Sequence, residues 1–97
     1  MLALGALVFV LAAPDAGAAS MPACIHVTTD SRYVPYGYNH VVIVRNGCSK
    51  PATCSVATDV VPQPQAVEVP ARATVEVTTF MGSPQQGFVA KVSCKTR

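Results

Sequence analysis

Tryptophan is absent from the sequence, and charged residues make up only 12% of it. The net charge is +2, from seven basic and five acidic residues. The basic residues are scattered and form no run apart from the short Lys95–Arg97 tail, whereas a nucleic-acid interface needs a basic patch or stripe. We therefore expect no nucleic-acid partner.

Arrangements of residues that carry catalysis are missing as well. Ser83 lies in Gly82-Ser83-Pro84, which lacks the Gly-x-Ser-x-Gly frame of a nucleophile elbow. The acidic residues after residue 20 show no paired spacing of the kind that a general acid and base would need; they are Asp30, Asp59, Glu68 and Glu76. We predict that the protein is not an enzyme.

Long apolar runs are limited to the N-terminus. Residues 1–13 read MLALGALVFVLAA and are followed by Pro14 and a series of small residues. The run is shorter than the roughly 20 residues that a membrane-spanning helix needs, and Ala16-Gly17-Ala18 fits a signal-peptide cleavage site. We predict residues 1–19 as a cleaved signal peptide and residues 20–97 as one secreted or periplasmic domain, with no membrane span in the mature chain.

A helical hydrophobic period is absent after residue 20. About six short apolar or alternating segments are separated instead by turn residues. They are Cys24–Thr29, His40–Arg45, Cys54–Val60, Gln65–Val69, Thr74–Phe80 and Phe88–Cys94. The pattern predicts an all-β fold, a small antiparallel β-sandwich of immunoglobulin-like or Greek-key type, with a partly open barrel as the alternative.

The stretch from His40 to Val60 carries the strongest local signals. Val41–Val44 is a run of β-branched residues, which suits a strand buried on both faces. Asn46-Gly47 is the strongest short turn signal in the chain. We therefore predict that this stretch is a hairpin whose turn is bounded by Cys48 and Cys54.

Four cysteines, all of them after the predicted signal peptide, indicate two disulfides formed in an oxidising compartment. We favour Cys48–Cys54, which would close the hairpin turn, together with Cys24–Cys94, which would join the first strand to the last. The longer of these loops would constrain the unfolded chain more. The pairing of Cys24 with Cys48 and of Cys54 with Cys94 is the open alternative.

The candidate binding residues lie in or directly beside residues 30–39, whose sequence DSRYVPYGYN predicts a loop. This segment contains all three tyrosines of the protein, and binding surfaces are enriched in tyrosine because its ring is large and amphipathic. We predict a binding surface for a protein or carbohydrate partner. It comprises Tyr33, Tyr36 and Tyr38 with the flanking Arg32 and His40. The alternative is that two of the tyrosines fold back and cap the end of the sandwich.

Metal binding is the first alternative function, because small secreted β-sandwiches can hold copper with His, Cys and Met ligands. The available ligands are His26, His40, the cysteines, Met21 and Met81. However, Cys94 has no His or Met close after it, and disulfides would consume all four thiols. We expect no cofactor and keep a periplasmic copper-binding protein as the alternative.

A second alternative is a secreted enzyme inhibitor that presents the Gly82–Gly87 loop, in which Pro84 stiffens the backbone. Two segments, VIVRNGC (42–48) and VEVPARATVEV (67–77), resemble those of small secreted bacterial immunoglobulin-like domains. The resemblance implies a sandwich fold and carries over no site residue. We therefore predict a disulfide-stabilised β-domain that acts as a non-catalytic binding or structural module.

Overall fold

The computed structural model of the protein describes residues 21–97. The predicted signal peptide, residues 1–19, lies outside the described residues. No helix within residues 21–97 has the length and apolar character to cross a membrane.

Six strands form two antiparallel sheets, which confirms the predicted all-β sandwich. The strands are β1 (Ile25–Val34), β2 (Gly37–Asn46), β3 (Ala52–Thr58), β4 (Gln65–Val69), β5 (Thr74–Ser83) and β6 (Ala90–Thr96). The order β1-β2-β5 makes one sheet and the order β4-β3-β6 makes the other. Each sheet therefore consists of a local hairpin plus one strand from the last third of the chain.

The core lies between the sheets and follows the period of two that a strand imposes. Val42 and Val44 of β2 are fully buried against Val56 of β3 and Val69 of β4. Cys94 is also buried, as the alternation along β6 predicts. Burying each aliphatic side chain of this size contributes about 1.5–3 kcal/mol.

The two sheets differ in length. The strands of the first sheet, called here the long sheet, have 10 residues each, and those of the second, the short sheet, have 7, 5 and 7. At about 3.3 Å per residue, the long sheet extends past the short sheet. The chain that joins β5 to β6 lies against the far end of the long sheet, where it contacts Ser31 and His40.

The predicted hairpin from His40 to Val60 is wrong, because β2 and β3 belong to different sheets. The chain crosses between the sheets after Asn46, whose side chain is buried rather than placed in a tight turn. Asn46 Nδ2 donates to the carbonyl oxygens of Lys50 and Val69 at 3.0 and 3.1 Å. Its Oδ1 accepts from the Cys48 N–H at 2.8 Å. These bonds satisfy buried backbone groups that the crossing would otherwise leave unpaired.

The favoured disulfides Cys24–Cys94 and Cys48–Cys54 are also wrong, since the structure contains Cys24–Cys48 and Cys54–Cys94. The topology explains the pairing. Ile25 pairs with Asn46, so the residue before β1 lies beside the chain that leaves β2, and the Cα atoms of Cys24 and Cys48 are 5.2 Å apart. Cys54 and Cys94 are direct cross-strand partners in the short sheet.

The predicted loop at residues 30–39 is also wrong. β1 continues to Val34 and β2 begins at Gly37, so only Pro35 and Tyr36 connect them. Two polar residues continue the strand because their side chains find partners. Asp30 accepts from Arg32 Nε at 2.9 Å, and Ser31 Oγ donates to the carbonyl of Gln86.

Candidate functional site

The predicted tyrosines lie at the end of the long sheet, where β1 turns into β2. Ile25, at the start of the inward row of β1, is buried, whereas Tyr33, at the other end of the same row, is 73% exposed. Tyr33 and Tyr38 are cross-strand partners, and their rings meet edge to face with centroids 5.7 Å apart. Tyr36 occupies the turn and is 69% exposed. The structure therefore brings the three rings to one end of the molecule.

The turn sits directly on the end of β5, and two glycines permit this contact. A Cβ atom on Gly82 would lie 2.7 Å from Cδ2 of Tyr36, and one on Gly37 would lie 2.5 Å from the Ser83 carbonyl oxygen. Both glycines have positive φ angles, +142° at Gly37 and +71° at Gly82, which residues with a side chain rarely adopt. The Tyr36 ring thus rests on a backbone that only glycine can supply.

Two exposed apolar side chains lie at the same end of β5, where the β2–β5 register shifts on both sides of His40 and interrupts the strict alternation of faces. Phe80 is 40% exposed and Met81 67% exposed, and Phe80 is the cross-strand partner of His40. We call the set the tyrosine end; it comprises Tyr33, Tyr36, Tyr38, Phe80 and Met81. No Asp, Glu, Lys or Arg occurs in residues 33–40 or 80–88. The tyrosine end is therefore an uncharged aromatic surface.

Arg32 does not join the tyrosine end, because neighbouring residues of a strand point to opposite faces. Its guanidinium lies on the outward face of the long sheet and donates to both carboxylate oxygens of Glu76, at 3.0 and 3.1 Å. These hydrogen bonds hold the pKa of Glu76 below its ordinary value and raise the pKa of Arg32. The ion pair reaches from β1 to β5 across β2, where the outward-facing Val41 is 1% exposed.

His40 lies beneath the surface, fully buried on the inward face of β2. Its Nε2 is 2.7 Å from the carbonyl oxygen of Gln85, so Nε2 carries the proton and donates to that carbonyl. The imidazole also stacks on Phe88, with centroids 4.2 Å apart and the planes 14° from parallel. Nδ1 has no hydrogen-bond partner among residues 21–97. His40 therefore anchors the β5–β6 connection.

That connection, residues 84–89, overlaps the Gly82–Gly87 loop predicted for the inhibitor alternative, and it borders the tyrosine end. Two side chains of the long sheet hold its backbone by hydrogen bonds to consecutive carbonyls. His40 donates to the carbonyl of Gln85, and Ser31 donates to that of Gln86. The Gln85 N–H donates to Ser83 Oγ at 3.0 Å. In the sequence, only Pro84 indicates that this connection is rigid, because His40 and Ser31, which anchor it, are distant in the chain.

The possible copper ligands do not converge. His26 is exposed on the outward face of β1, whereas His40 is buried on the inward face of β2. All four cysteines are in disulfides. Within the described part of the chain, no three His, Cys, Asp or Glu side chains are grouped as metal ligands would be.

Comparison with protein families, with curated proteins and with solved structures gives no match. The two disulfides fit an extracellular or otherwise oxidising compartment. The functional proposal therefore rests on the surface chemistry described above.

Proposed function

We propose that the protein is a secreted or periplasmic, non-catalytic module that binds a partner protein through the tyrosine end. The observation that carries this proposal is the clustering of exposed rings. Four of the five large apolar side chains exposed in residues 21–97 belong to the tyrosine end: Tyr33, Tyr36, Phe80 and Met81. Contiguous exposed apolar patches on soluble proteins mark interaction sites.

The composition of this surface favours a protein over a carbohydrate. The centres of protein interfaces are depleted in charge and enriched in Tyr, Phe and Met, which are the residues present here. Met81 offers a flexible thioether that packs against varied apolar shapes but has no hydroxyl or amide for a sugar. The surface is also built on strands, so its backbone loses little entropy on binding.

The test uses three variants, Tyr33→Ala, Tyr36→Ala and the control His26→Ala, which changes an exposed ring on the outward face. Proteins cross-linked to the wild type and to His26→Ala, but not to either tyrosine variant, are purified and their Kd values measured directly. Each tyrosine variant should weaken binding by about 2 kcal/mol and leave the Tm nearly unchanged.

Two results would contradict this proposal. A fall in Tm of several degrees in both tyrosine variants, at about 4–8 °C per kcal/mol for a domain of this size, would make the rings caps of the sandwich. Tyrosine-dependent binding on a glycan array, without a protein partner, would instead assign the surface to carbohydrate.

The rigid connection supports a second candidate, an inhibitor that presents residues 82–87 to an enzyme. The exposed side chains of Gln85 and Gln86 project from a backbone held at both carbonyls, and a loop fixed in one conformation loses little entropy on binding. Inhibition of an extracellular hydrolase that Gln86→Arg abolishes, with Tyr36→Ala unaffected, would favour this function over the first.

A further inference from the structure

A second surface lies between the two sheets along one open side of the sandwich. There β1 and β6 are edge strands of different sheets and do not pair with each other. Between them runs a groove of about 440 Å³. Thr28 and Thr29 contribute polar groups, and the other six lining residues are apolar: Met21, Val27, Phe88, Val89, Ala90 and Val92.

The edge of β6 has backbone groups free to pair. Cys54 and Cys94 face each other with their Cα atoms 4.0 Å apart, the short spacing of a non-hydrogen-bonded antiparallel pair. The two pair types alternate along an antiparallel ladder, so Val92 and Ala90, two and four residues before Cys94, are also non-hydrogen-bonded partners of β3. They therefore direct their N–H and C=O groups away from β3. No strand within residues 21–97 pairs with that edge.

The side chains of β6 specify what kind of strand would fit. Ala90 and Val92 face the groove, whereas Lys91 and Lys95 lie on the opposite, solvent-facing row. Both lysines are exposed and form no ion pair with any residue of 21–97. A strand placed beside β6 would thus put one row of side chains into an apolar groove and the other beside two positive charges.

Lysines on an edge strand discourage pairing between copies of the same chain, because antiparallel β6–β6 contact would bring like charges together. The same charges attract a strand with acidic side chains. The lysines therefore do not prevent all pairing at this edge but favour acidic partner strands over basic ones.

From this complementarity we infer that the β6 edge binds an extended segment of a partner protein whose residues alternate between apolar and acidic. The segment adds a strand to the short sheet by backbone hydrogen bonds, and its alternate side chains enter the groove. The β6 edge is distinct from the tyrosine end, although Phe88 of the groove belongs to the connection that borders that end.

The probe is an acetylated, amidated eight-residue peptide of alternating Val and Glu, added to the oxidised protein and followed by NMR. We expect shifts at the Ala90, Val92 and Cys94 amides and slower exchange of their protons. Binding should weaken as salt screens the lysines. Replacing Glu by Lys in the peptide should abolish binding.

Charge reversal of the protein gives the matched comparison. Lys91→Glu with Lys95→Glu should weaken binding of the Val-Glu peptide by about tenfold or more and create binding of the Val-Lys peptide. Arg45→Glu with Lys50→Glu changes the net charge equally at exposed sites elsewhere and should have little effect.

A peptide N-methylated at the alternate residues whose N–H groups would face β6 cannot complete the backbone ladder and should not bind. The inference is overturned if the Val-Glu peptide does not bind, if both charge reversals weaken it equally, or if the N-methylated peptide binds as well as the parent. The salt and N-methyl measurements use the wild type, so they decide the matter even if a variant does not fold.

Discussion

The imidazole of His40 lies flat against the phenyl ring of Phe88, 4.2 Å away between centroids. Residues 40 and 88 belong to different parts of the chain, one in β2 and the other just before β6. Together with the hydrogen bond from Nε2 to Gln85, the stack closes the end of the core that the short sheet does not reach. The chain after β5 thus covers a part of the long sheet that the short sheet does not reach.

The two histidines should differ sharply in their contribution to stability. His40→Ala removes a buried ring and leaves the Gln85 carbonyl without its donor, which should lower the free energy of unfolding by about 2–4 kcal/mol. His26→Ala removes an exposed ring and should change it by less than about 0.5 kcal/mol. Urea unfolding of the oxidised proteins measures both. Equal effects would show that His40 does not anchor residues 84–89.

Three glycine-to-alanine changes separate the strained positions from the open one. Gly37→Ala and Gly82→Ala place a Cβ against the Ser83 carbonyl and the Tyr36 ring, at positive φ angles that cost about 1–3 kcal/mol. Gly87→Ala meets no atom within 4 Å and should leave stability unchanged or slightly raised. The Ser83 backbone cannot move aside as the Tyr36 side chain can, so Gly37→Ala should lower the free energy of unfolding more than Gly82→Ala. Thermal unfolding of the three variants measures the difference.

The Arg32–Glu76 ion pair should make stability depend on pH in the acid range. Arg32 holds the Glu76 pKa below its ordinary value of 4.5, so the folded state binds this proton less readily than the unfolded state. The stabilisation is therefore present above pH 4.5 and is lost as the pH falls through the lowered pKa. In a double-mutant cycle with Arg32→Gln and Glu76→Gln, the coupling should vanish at low pH and shrink at high salt. A pH-independent coupling would contradict this.

The two disulfides should contribute almost equally through chain entropy. They join residues 24 and 40 positions apart, for which the loop-closure model gives about 3.5 and 3.9 kcal/mol. Cys54 and Cys94 are the more deeply buried pair, at 1% and 3% exposure, so replacing both by Ala should also leave a cavity. We expect the Cys54/Cys94 double variant to unfold at lower urea than the Cys24/Cys48 one. Peptide mapping of the oxidised protein checks the pairing itself.

The strands could be predicted from local sequence, but the sheet in which each strand lies could not. Alternation at Thr74–Phe80 and the β-branched run at Val41–Val44 are properties of a few adjacent residues. By contrast, Asn46-Gly47 is compatible with either a hairpin turn or a crossing between sheets. The choice depends on whether the Asn46 amide finds buried carbonyls, among them that of Val69, which is set by the tertiary fold.

The same limit applies to the candidate surface. Sequence identified the three tyrosines, and the structure places them together at one end. The predicted loop, in which adjacent residues can share a face, would also bring Arg32 and His40 to this surface. In a strand, Arg32 and Tyr33 point to opposite sides, and His40 is covered by residues that follow it by more than forty positions. Neither the face on which Arg32 lies nor the burial of His40 can be recognised from the adjacent residues alone.

The disulfides Cys24–Cys48 and Cys54–Cys94 pair the cysteines in chain order, the first with the second and the third with the fourth. A chain that enters an oxidising compartment with its N-terminus first presents Cys24 and Cys48 before Cys54 and Cys94. Oxidation in the order of emergence therefore yields the native bonds directly. We therefore expect that a thiol oxidase is enough for maturation and that no isomerase is needed to reshuffle mispaired thiols.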